Sequence, residues 1–261
     1  MDLELAGRTA VVTGASKGIG LAITRALVSE GVSVVAGALH GSAELDDLTR
    51  DAPVLPVAVD LTTPDGPGQL VDAAVTAYGG VDILVNNVGA VRPRTEGFLA
   101  LTDADWDWCL NINFLAAVRT MRAAIPAMQG REGASIVTIS SVNAFLPDPG
   151  VIDYSAAKGA LSNLCKSLSK ELGPDIRVNT ISPGPVQTDL WLSKDGVAAT
   201  VGRASGTDPG DVVRHQEAQA ATGRFTRPEE IGDLVTYLAS ARAGNITGSD
   251  VTIDGGLIST L

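Results

Sequence analysis

The sequence predicts an α/β fold in which a doubly wound parallel sheet carries helices on both faces, giving three α/β/α layers. Short, continuously apolar runs alternate with longer amphipathic runs along all 261 residues, and such runs are typical of strands buried on both faces of a parallel sheet. Apolar residues make up 45% of the chain and aromatic residues 4%, so we expect a core of Ala, Val, Leu and Ile. No break in composition divides the chain, and we expect one domain over residues 1–261.

The first half of the chain is predicted to alternate strands with helices. We expect strands at 9–12, 32–36, 54–59 and 83–85, and helices at 21–29 and 69–78. Gly31 and the Gly79-Gly80 pair are helix stops, because glycine readily adopts the left-handed conformation that ends a helix. Asp60 closes the third strand.

The second half continues the alternation until one long irregular region. We expect helices at 103–128, 154–172 and 228–240, and strands at 135–139, 177–181 and 250–253. Thr102 or Asp103 is the expected cap of the first of these helices, and Pro228 suits the first turn of the last. Residues 188–226 are rich in Gly, Asp, Ser and Ala, which is typical of a substrate lid or a disordered loop.

Charge and cysteine content exclude several classes of function. The net charge of −11 argues against nucleic acid or an anionic membrane as a partner, because both require basic surface. Cys109 and Cys165 lack the spacing of a disulfide framework or a zinc site, so we expect no metal and reduced thiols. The acidic N-terminus does not resemble a signal peptide, and no apolar run approaches the ~18 residues needed to span a bilayer. We therefore expect a soluble cytoplasmic protein.

A glycine-rich turn follows the first predicted strand. The segment Thr13-Gly14-Ala15-Ser16-Lys17-Gly18-Ile19-Gly20 leads into a helix, where glycines let the backbone approach a pyrophosphate and the helix N-terminus attracts it. A tight strand-to-helix connection is the alternative. The position after the first strand favours nucleotide binding and a Rossmann-type sheet.

Tyr154 and Lys158 are four residues apart and lie on one face of a predicted helix. An ammonium beside a phenol favours the phenolate and lowers the pKa of the phenol, which suits a proton donor and acceptor. The spacing alone favours a partly exposed helix face, because Tyr-x-x-x-Lys occurs by chance in many helices. Its significance depends on the other motifs of the chain.

Taken together, these motifs resemble the short-chain dehydrogenase/reductase family, in its single-domain branch with TGxxxGxG and YxxxK motifs. The resemblance covers essentially the whole chain and rests on the order of Thr13 to Gly20, Asn86-Asn87-Val88-Gly89, Asn113, Ser141, Tyr154, Lys158, Pro183 to Thr188 and Asp254-Gly255-Gly256. Val88 stands where the family usually has Ala. Asp153 precedes the tyrosine and is expected to face away from the phenol with little effect.

The resemblance implies a catalytic role for four residues. Tyr154 exchanges a proton with the reacting oxygen, and Ser141, rather than its neighbour Ser140, hydrogen-bonds that oxygen. Lys158 lowers the pKa of Tyr154 and binds the nicotinamide ribose. Asn113 holds a water in a proton relay, although it is also a residue type that satisfies an irregular helix.

The resemblance also implies a set of residues around the cofactor. They are Gly14, Ser16, Lys17, Gly18, Ile19, Gly20, Ala38, Asp60, Leu61, Asn87, Gly89, Tyr154, Lys158, Pro183, Gly184, Val186 and Thr188. Asp60 is expected to accept a hydrogen bond from the adenine amino group, and its alternative role is that of a turn residue. Asn86 is expected near the adenine and ribose.

Cofactor preference depends on the end of the second strand. A carboxylate there accepts from the ribose 2′-hydroxyl of NAD and repels the 2′-phosphate of NADP. This chain has Ala38 at that position and Lys17 in the glycine turn, where its ammonium reaches a 2′-phosphate. NADP(H) is therefore favoured over NAD(H), although no arginine follows Ala38 and Lys17 is also compatible with an exposed loop.

The substrate pocket is predicted to be mostly apolar, with one amide. The expected lining comprises Asn143, Leu146, Val151, Pro185, Trp191 and Leu192, which suits an alicyclic, aromatic or medium-chain ketone or secondary alcohol. Arg92 and Arg94 lie where an anionic substrate would enter. The alternative for both is a solvated loop arginine paired with an acid such as Glu96.

The expected activity is therefore that of an NADPH-dependent carbonyl reductase acting on a small molecule. The alternatives are an NAD-dependent secondary alcohol dehydrogenase of the same family and a regulator that senses a dinucleotide without chemistry. The resemblance further implies a homotetramer. The apolar side chains of Ala116, Ala117, Leu161 and Leu168 are expected to supply surface for that assembly.

Overall fold

The computed structural model describes residues 2–259, which form one seven-stranded sheet. Its strands are β1 (Thr9–Thr13), β2 (Ser33–Ala38), β3 (Val54–Ala58), β4 (Ile83–Asn86), β5 (Ala134–Ile139), β6 (Ile176–Pro183) and β7 (Asp250–Ile253). The order across the sheet is β3-β2-β1-β4-β5-β6-β7, and every neighbouring pair is parallel. The predicted parallel sheet is confirmed, with each predicted strand present.

Ten helices connect and cover the strands within the described residues. They are α1 (Gly18–Ser29), α2 (Ala43–Asp51), α3 (Gly66–Tyr78), α4 (Asp103–Leu110), α5 (Ala116–Met128), α6 (Ile152–Glu171), α7 (Asp189–Leu192), α8 (Val197–Ser205), α9 (Pro209–Gln219) and α10 (Pro228–Ala239). The first two and α10 cover one face of the sheet, whereas α3, α5 and α6 cover the other. This is the predicted α/β/α arrangement.

The two helical layers bury an aliphatic core on both sides of the sheet. Its largest fully buried side chains are all Leu, Ile or Met, with Ile23 and Leu27 on one face and Leu70 and Met121 on the other. This agrees with the low aromatic content. No helix in residues 2–259 is both long enough and apolar enough to cross a membrane.

Two features of the helices differ from the prediction. Helix α2 was not predicted, because it is mainly polar and only Leu45 and Leu48 reach the core. The helix predicted over residues 103–128 is interrupted by a π-helical turn at Asn111–Leu115. Such turns occur within helices and are often found at functional sites.

The segment predicted to be irregular, residues 188–226, contains α7, α8 and α9 and is called the inserted segment below. Its two ends meet, because the Gln187 amide donates to the Thr226 carbonyl (2.9 Å) and the Thr226 amide donates to the Pro185 carbonyl (3.0 Å). The segment therefore leaves the sheet and returns to it at one point.

The apolar residues proposed to form a surface between subunits are mostly internal. Ala116, Ala117 and Leu161 are buried within the chain, and Leu168 packs against the same core. Ala116, Ala117 and Leu161 cover the sheet face and contribute no apolar surface to an assembly, whereas Leu168 is partly exposed. That part of the sequence argument is wrong, and Leu115 is the large exposed apolar residue in this region.

Candidate active site

The site lies where the order of the strands reverses, between β1 and β4. At such a point the connections leave toward opposite faces and open a crevice at the carboxyl ends of the strands. A cavity of about 1190 Å³ occupies this edge, bounded by the turns that follow strands β1 to β6 and by the inserted segment. It is lined by all seventeen residues predicted to bind the cofactor.

The turn between β1 and α1 has the backbone that a pyrophosphate site requires. Gly14 has a φ of +65°, and a Cβ at Gly20 would lie 2.1 Å from the Gly14 carbonyl oxygen. No side chain caps the N-terminus of α1, so the first amides of this helix are available to an anion. The residues present therefore fit a dinucleotide phosphate.

Thr13 and Asn87 join the ends of the two central strands. The Thr13 hydroxyl accepts from the Asn87 amide (2.8 Å) and the Val88 amide (3.0 Å), and the Asn87 side-chain amide donates to the Thr13 carbonyl (2.9 Å). The Asn87 side chain is thus bound to β1, while its residue still lines the cavity. These bonds set the separation of the two turns.

Ser141, Tyr154 and Lys158 meet at the centre of the cavity. The Ser141 hydroxyl lies close enough to the Tyr154 phenol to affect its pKa, and it donates to the Asn143 Oδ1 (3.2 Å). The Lys158 Nζ lies 5.6 Å from the centre of the Tyr154 ring. Lys158 donates to the Ile139 carbonyl at the end of β5 (2.9 Å). Ser140 instead pairs with the Ser162 hydroxyl on α6 (2.7 Å), as expected if Ser141 is the residue that faces the phenol.

The pKa values in this cluster differ from the expectation. Burial raises the pKa of the Tyr154 phenol to about 12, and the nearby Ser141 hydroxyl offsets part of that rise. The same burial lowers the pKa of the Lys158 ammonium to about 8. Desolvation disfavours both charged forms, and it outweighs the effect that the Tyr154/Lys158 spacing was expected to have. At neutral pH the phenol is protonated and the ammonium retains its charge.

Asn113 lies behind the cavity rather than on its wall. It is in the π-helical turn, where its side-chain amide donates to the Ala90 carbonyl (2.8 Å) and the Cys109 carbonyl (3.0 Å) and its oxygen accepts from the Ala90 amide (3.0 Å). The side chain therefore satisfies backbone groups around the irregular turn. A Cβ at Gly89 would lie 3.0 Å from its oxygen and 3.6 Å from the Lys158 Nζ, so glycine permits this close approach.

The far end of the cavity is formed by the turns after β2 and β3. Ala38, Ser16 and Lys17 line it as predicted. His40 and Ser42 line it as well, and neither was identified from the sequence. Ser42 caps α2 and donates to the Ser16 carbonyl (2.6 Å). This cap was not predicted because α2, which it begins, was not predicted from its mainly polar sequence.

Asp60 and Leu61 form the adjacent wall. The Asp60 Oδ1 accepts from the Thr62 amide (2.9 Å) and hydroxyl (2.7 Å), and these bonds hold the pKa of Asp60 below its ordinary value. Asp60 is thus the turn residue considered as the alternative. Its carboxylate is also charged and exposed beside the cavity.

The opposite end of the cavity is more apolar. Asn143, Leu146, Val151, Pro185 and Trp191 line it as predicted. Leu192 does not line it and is 44% exposed; the neighbouring Leu190 contributes instead. Trp191 packs edge-on against Phe225, with ring centres 5.2 Å apart.

The two loop arginines differ: Arg92 is exposed and Arg94 is largely buried, and no salt bridge to Glu96 is found for either among residues 2–259. The Arg92 guanidinium lies 3.6 Å from the centre of the Trp108 ring. Arg94 forms ion pairs with Asp153 and with Asp105 (3.0 Å). Asp153 is therefore a buried ion-pair partner, whereas the sequence suggested a residue of little effect.

Comparison with known proteins finds relatives over almost the whole chain. Residues 14–258 match a family model described as enoyl-(acyl carrier protein) reductase. The chain is 32% identical to the 3-oxoacyl-[acyl-carrier-protein] reductase FabG of Thermotoga maritima, over 98% of this chain and all of that protein. It is 35% identical to a 3-alpha-(or 20-beta)-hydroxysteroid dehydrogenase of Mycobacterium bovis, over 100% of this chain and 93% of that protein.

A solved structure is similar over the full length of both chains. It is the L-sorbose reductase of Gluconobacter frateurii complexed with NADPH and L-sorbose, with a TM-score of 0.91 and 34% identity. A ligand-free aldohexose dehydrogenase of Thermoplasma acidophilum has a TM-score of 0.88 and 28% identity, and covers 100% of this chain and 98% of that one. Close similarity in fold thus extends over relatives with different substrates.

The buried charge of Lys158 leads to a test of stability. We expect Lys158→Met to raise the free energy of unfolding at pH 7 by about 1–2 kcal/mol, since a pKa lowered from 10.5 to about 8 costs roughly 3 kcal/mol and the lost hydrogen bond is worth about 1 kcal/mol. The penalty is complete below pH 8 and disappears as the pH passes the unfolded pKa, so the gain shrinks at alkaline pH. Urea unfolding at several pH values measures it.

Lys166→Met on the same helix is the matched control. Lys166 is exposed and donates to the Gly248 carbonyl, so its removal should change stability by less than about 0.5 kcal/mol at any pH. Equal effects of the two substitutions would contradict the desolvation of Lys158.

Proposed function

The chain belongs to the short-chain dehydrogenase/reductase family, whose members interconvert CH–OH and C=O groups, and from this we propose that it is an NADPH-dependent reductase of a neutral carbonyl compound. The observation that carries the proposal is the convergence of Ser141, Tyr154 and Lys158 at the centre of a cavity that fits a dinucleotide. A regulator without chemistry would have no need for this cluster.

In the proposed reaction, Tyr154 donates its proton to the carbonyl oxygen while Ser141 hydrogen-bonds the same oxygen. NADPH, when bound, supplies the hydride. Lys158 donates to the Ile139 carbonyl, and its ammonium lies 5.6 Å from the centre of the Tyr154 ring. That charge stabilises the phenolate left after proton transfer.

At neutral pH Tyr154 is in the protonated form that carbonyl reduction uses. A phenol with a pKa of about 12 is a proton donor at neutral pH, whereas alcohol oxidation requires the phenolate as a base. The NAD-dependent alcohol dehydrogenase is therefore the second candidate.

NADP(H) is favoured by the residues at the far end of the cavity. Ala38 places no carboxylate at the end of β2, and Lys17 and His40 line the cavity beside it. The L-sorbose reductase that resembles this chain is complexed with NADPH. We therefore propose that Lys17 and His40 accompany the 2′-phosphate, assisted by the Ser42 hydroxyl.

The charges around the substrate half favour a neutral substrate. Asp148, Asp189 and Asp195 line the cavity there, together with the amides of Asn143 and Gln216. Among the described residues that line this half, Lys158 is the only cation. Arg94 is paired with Asp105 and Asp153, so a carboxylate or phosphate on the substrate would meet three carboxylates with Lys158 as the cation that offsets them. The apolar wall formed by Leu146 and Trp191 suits an alicyclic, aromatic or medium-chain ketone.

We further propose that residues 188–226 act as a lid over the substrate and that the protein is a homotetramer. Three lid helices contribute residues to the cavity, and a lid of this kind excludes water from the reacting carbonyl.

The proposal of a homotetramer rests on the resemblance to the family. Light scattering at micromolar concentration should give four times the 26.7 kDa chain mass; a monomer would contradict it.

A substrate panel with the Tyr154→Phe variant tests the chemistry. The wild-type protein should oxidise NADPH with neutral ketones, more slowly with NADH, and poorly with ketones that carry a carboxylate. Tyr154→Phe should retain NADPH binding and lose at least ~10²-fold in turnover, because a general acid is removed. Tyr237→Phe on α10 is the control and should keep full activity. Undiminished turnover by the Tyr154 variant would refute the assignment.

Cofactor choice is tested by Ala38→Asp. A carboxylate at the end of β2 should weaken NADPH through repulsion of the 2′-phosphate while leaving NADH unaffected or improved. Fluorescence titration with both cofactors measures this. NADH serves as the internal control, and unchanged NADPH affinity would mean that the 2′-phosphate does not lie beside residue 38.

A further inference from the structure

Arg94 joins three parts of the structure that border the substrate. Its Nε and Nη2 donate to Asp153 Oδ2, with the Nε bond at 3.1 Å, and its Nη1 donates to Asp105 Oδ1 at 3.0 Å. Its backbone amide donates to the Gly150 carbonyl at 2.7 Å. The Arg94 side chain is 12% exposed and that of Asp153 is 2% exposed. Arg94 is therefore fixed by both its side chain and its backbone.

Asp153 connects this ion pair directly to Tyr154. Its Oδ2 receives Arg94, and its Oδ1 accepts from the Tyr154 backbone amide at 3.0 Å. That amide belongs to the first turn of α6, where amides lack partners within the helix. The carboxylate thus holds the turn of the helix that carries the Tyr154 side chain.

The loop that carries Arg94 is held equally firmly on its other side. Arg92 stacks on Trp108 in α4, and Asp105 at the start of α4 forms a capping box with Thr102. Pro93 on this loop and Gly150 opposite it both line the cavity. Arg94 therefore links the loop that contains Pro93 to the segment that contains Gly150. Through Asp153 it also contacts the backbone of Tyr154.

We propose that Arg94 is a positioning residue that acts through Asp153 to set the place of Tyr154 relative to the substrate, an inference that rests on the proposed reductase function. A planar guanidinium suits this role, because its donors lie in a rigid fork that grips a carboxylate on one side while reaching Asp105 on the other. Stability alone is a weak reason for such a pair, since a buried ion pair often contributes little to it. Proton transfer, in contrast, is sensitive to displacements of the donor of about 1 Å.

The test compares Arg94→Met, Arg94→Lys and Asp153→Asn with the wild-type enzyme. We expect Arg94→Met and Asp153→Asn to lower kcat by about tenfold or more while the Kd for NADPH stays within about twofold, because the shift affects the phenol and not the phosphate site. Arg94→Lys should recover part of kcat, since one charged contact remains. Hydrogen exchange of residues 150–158 should accelerate in Arg94→Met, independently of any substrate.

Arg131→Met is the matched control at the opposite edge of the sheet. Arg131 pairs with Asp82 (3.0 Å) and donates to the Gly79 carbonyl, so its loss also breaks an ion pair and a backbone contact. It should lower Tm, accelerate exchange near residues 79–84 and leave kcat unchanged.

Two results would overturn the inference. The first is that Arg94→Met lowers Tm but keeps kcat within about twofold of the wild-type value. The second is that Arg94→Met and Arg131→Met lower kcat to the same extent and also weaken NADPH binding to the same extent. If Arg94→Met fails to fold, the nearly isosteric Asp153→Asn and the charged Arg94→Lys decide by the same criteria. Absence of turnover in the wild-type protein would instead refute the proposed function, while the exchange measurement would still test the Arg94 contacts.

Discussion

The hydrogen bonds between Thr13 and the Asn87-Val88 turn are the contacts on which the site depends. They tie β1 to β4 where the chain departs toward opposite faces of the sheet. One hydroxyl accepts two backbone amides, so the two turns have little freedom to separate. Gly14 and Gly20 then complete the junction, because any side chain at Gly20 would collide with the Gly14 carbonyl. The cavity, the exposed amides of α1 and the approach of Gly89 to Lys158 all follow from this closure.

Lys158 and Arg94, the two buried cations near this junction, differ in whether a carboxylate neutralises their charge. Lys158 is buried, and within residues 2–259 its hydrogen-bond partner is the Ile139 carbonyl. A charged group that binds in the cavity would therefore change the pKa of the ammonium. Arg94 is also largely buried, but two carboxylates neutralise it. The first arrangement suits a group that takes part in chemistry, and the second suits a group that fixes its neighbours.

The sheet and its order of elements were accessible from the sequence because each strand is a continuous apolar run bounded by polar or glycine residues. Helix α2 was not predicted because its buried face contains only two apolar residues, Leu45 and Leu48, which are too few to give a helical hydrophobic pattern. The π-helical turn carries no signature in hydrophobic periodicity, and the inserted segment lacks one because its helices bury few residues. The glycine turn and the Ser141, Tyr154 and Lys158 cluster were accessible because short-range motifs encode them. The Arg94–Asp153 pair spans 59 residues, and pairing over such a distance is decided by the folded chain. The assigned roles of the individual residues remain predictions.

The meeting of both ends of the inserted segment at Thr226 has an evolutionary consequence. A stretch that starts and finishes at one bridge imposes few demands on the rest of the chain. Its length and composition are therefore free to drift while the sheet, the glycine turn and the Tyr154 cluster stay under separate selection. Descendants with new substrate preferences are accessible by replacing this module, and a graft between relatives would need to match the bonds that Thr226 makes with Pro185, Gln187 and Ile253 and the bond from the Thr222 amide to the Gly255 carbonyl.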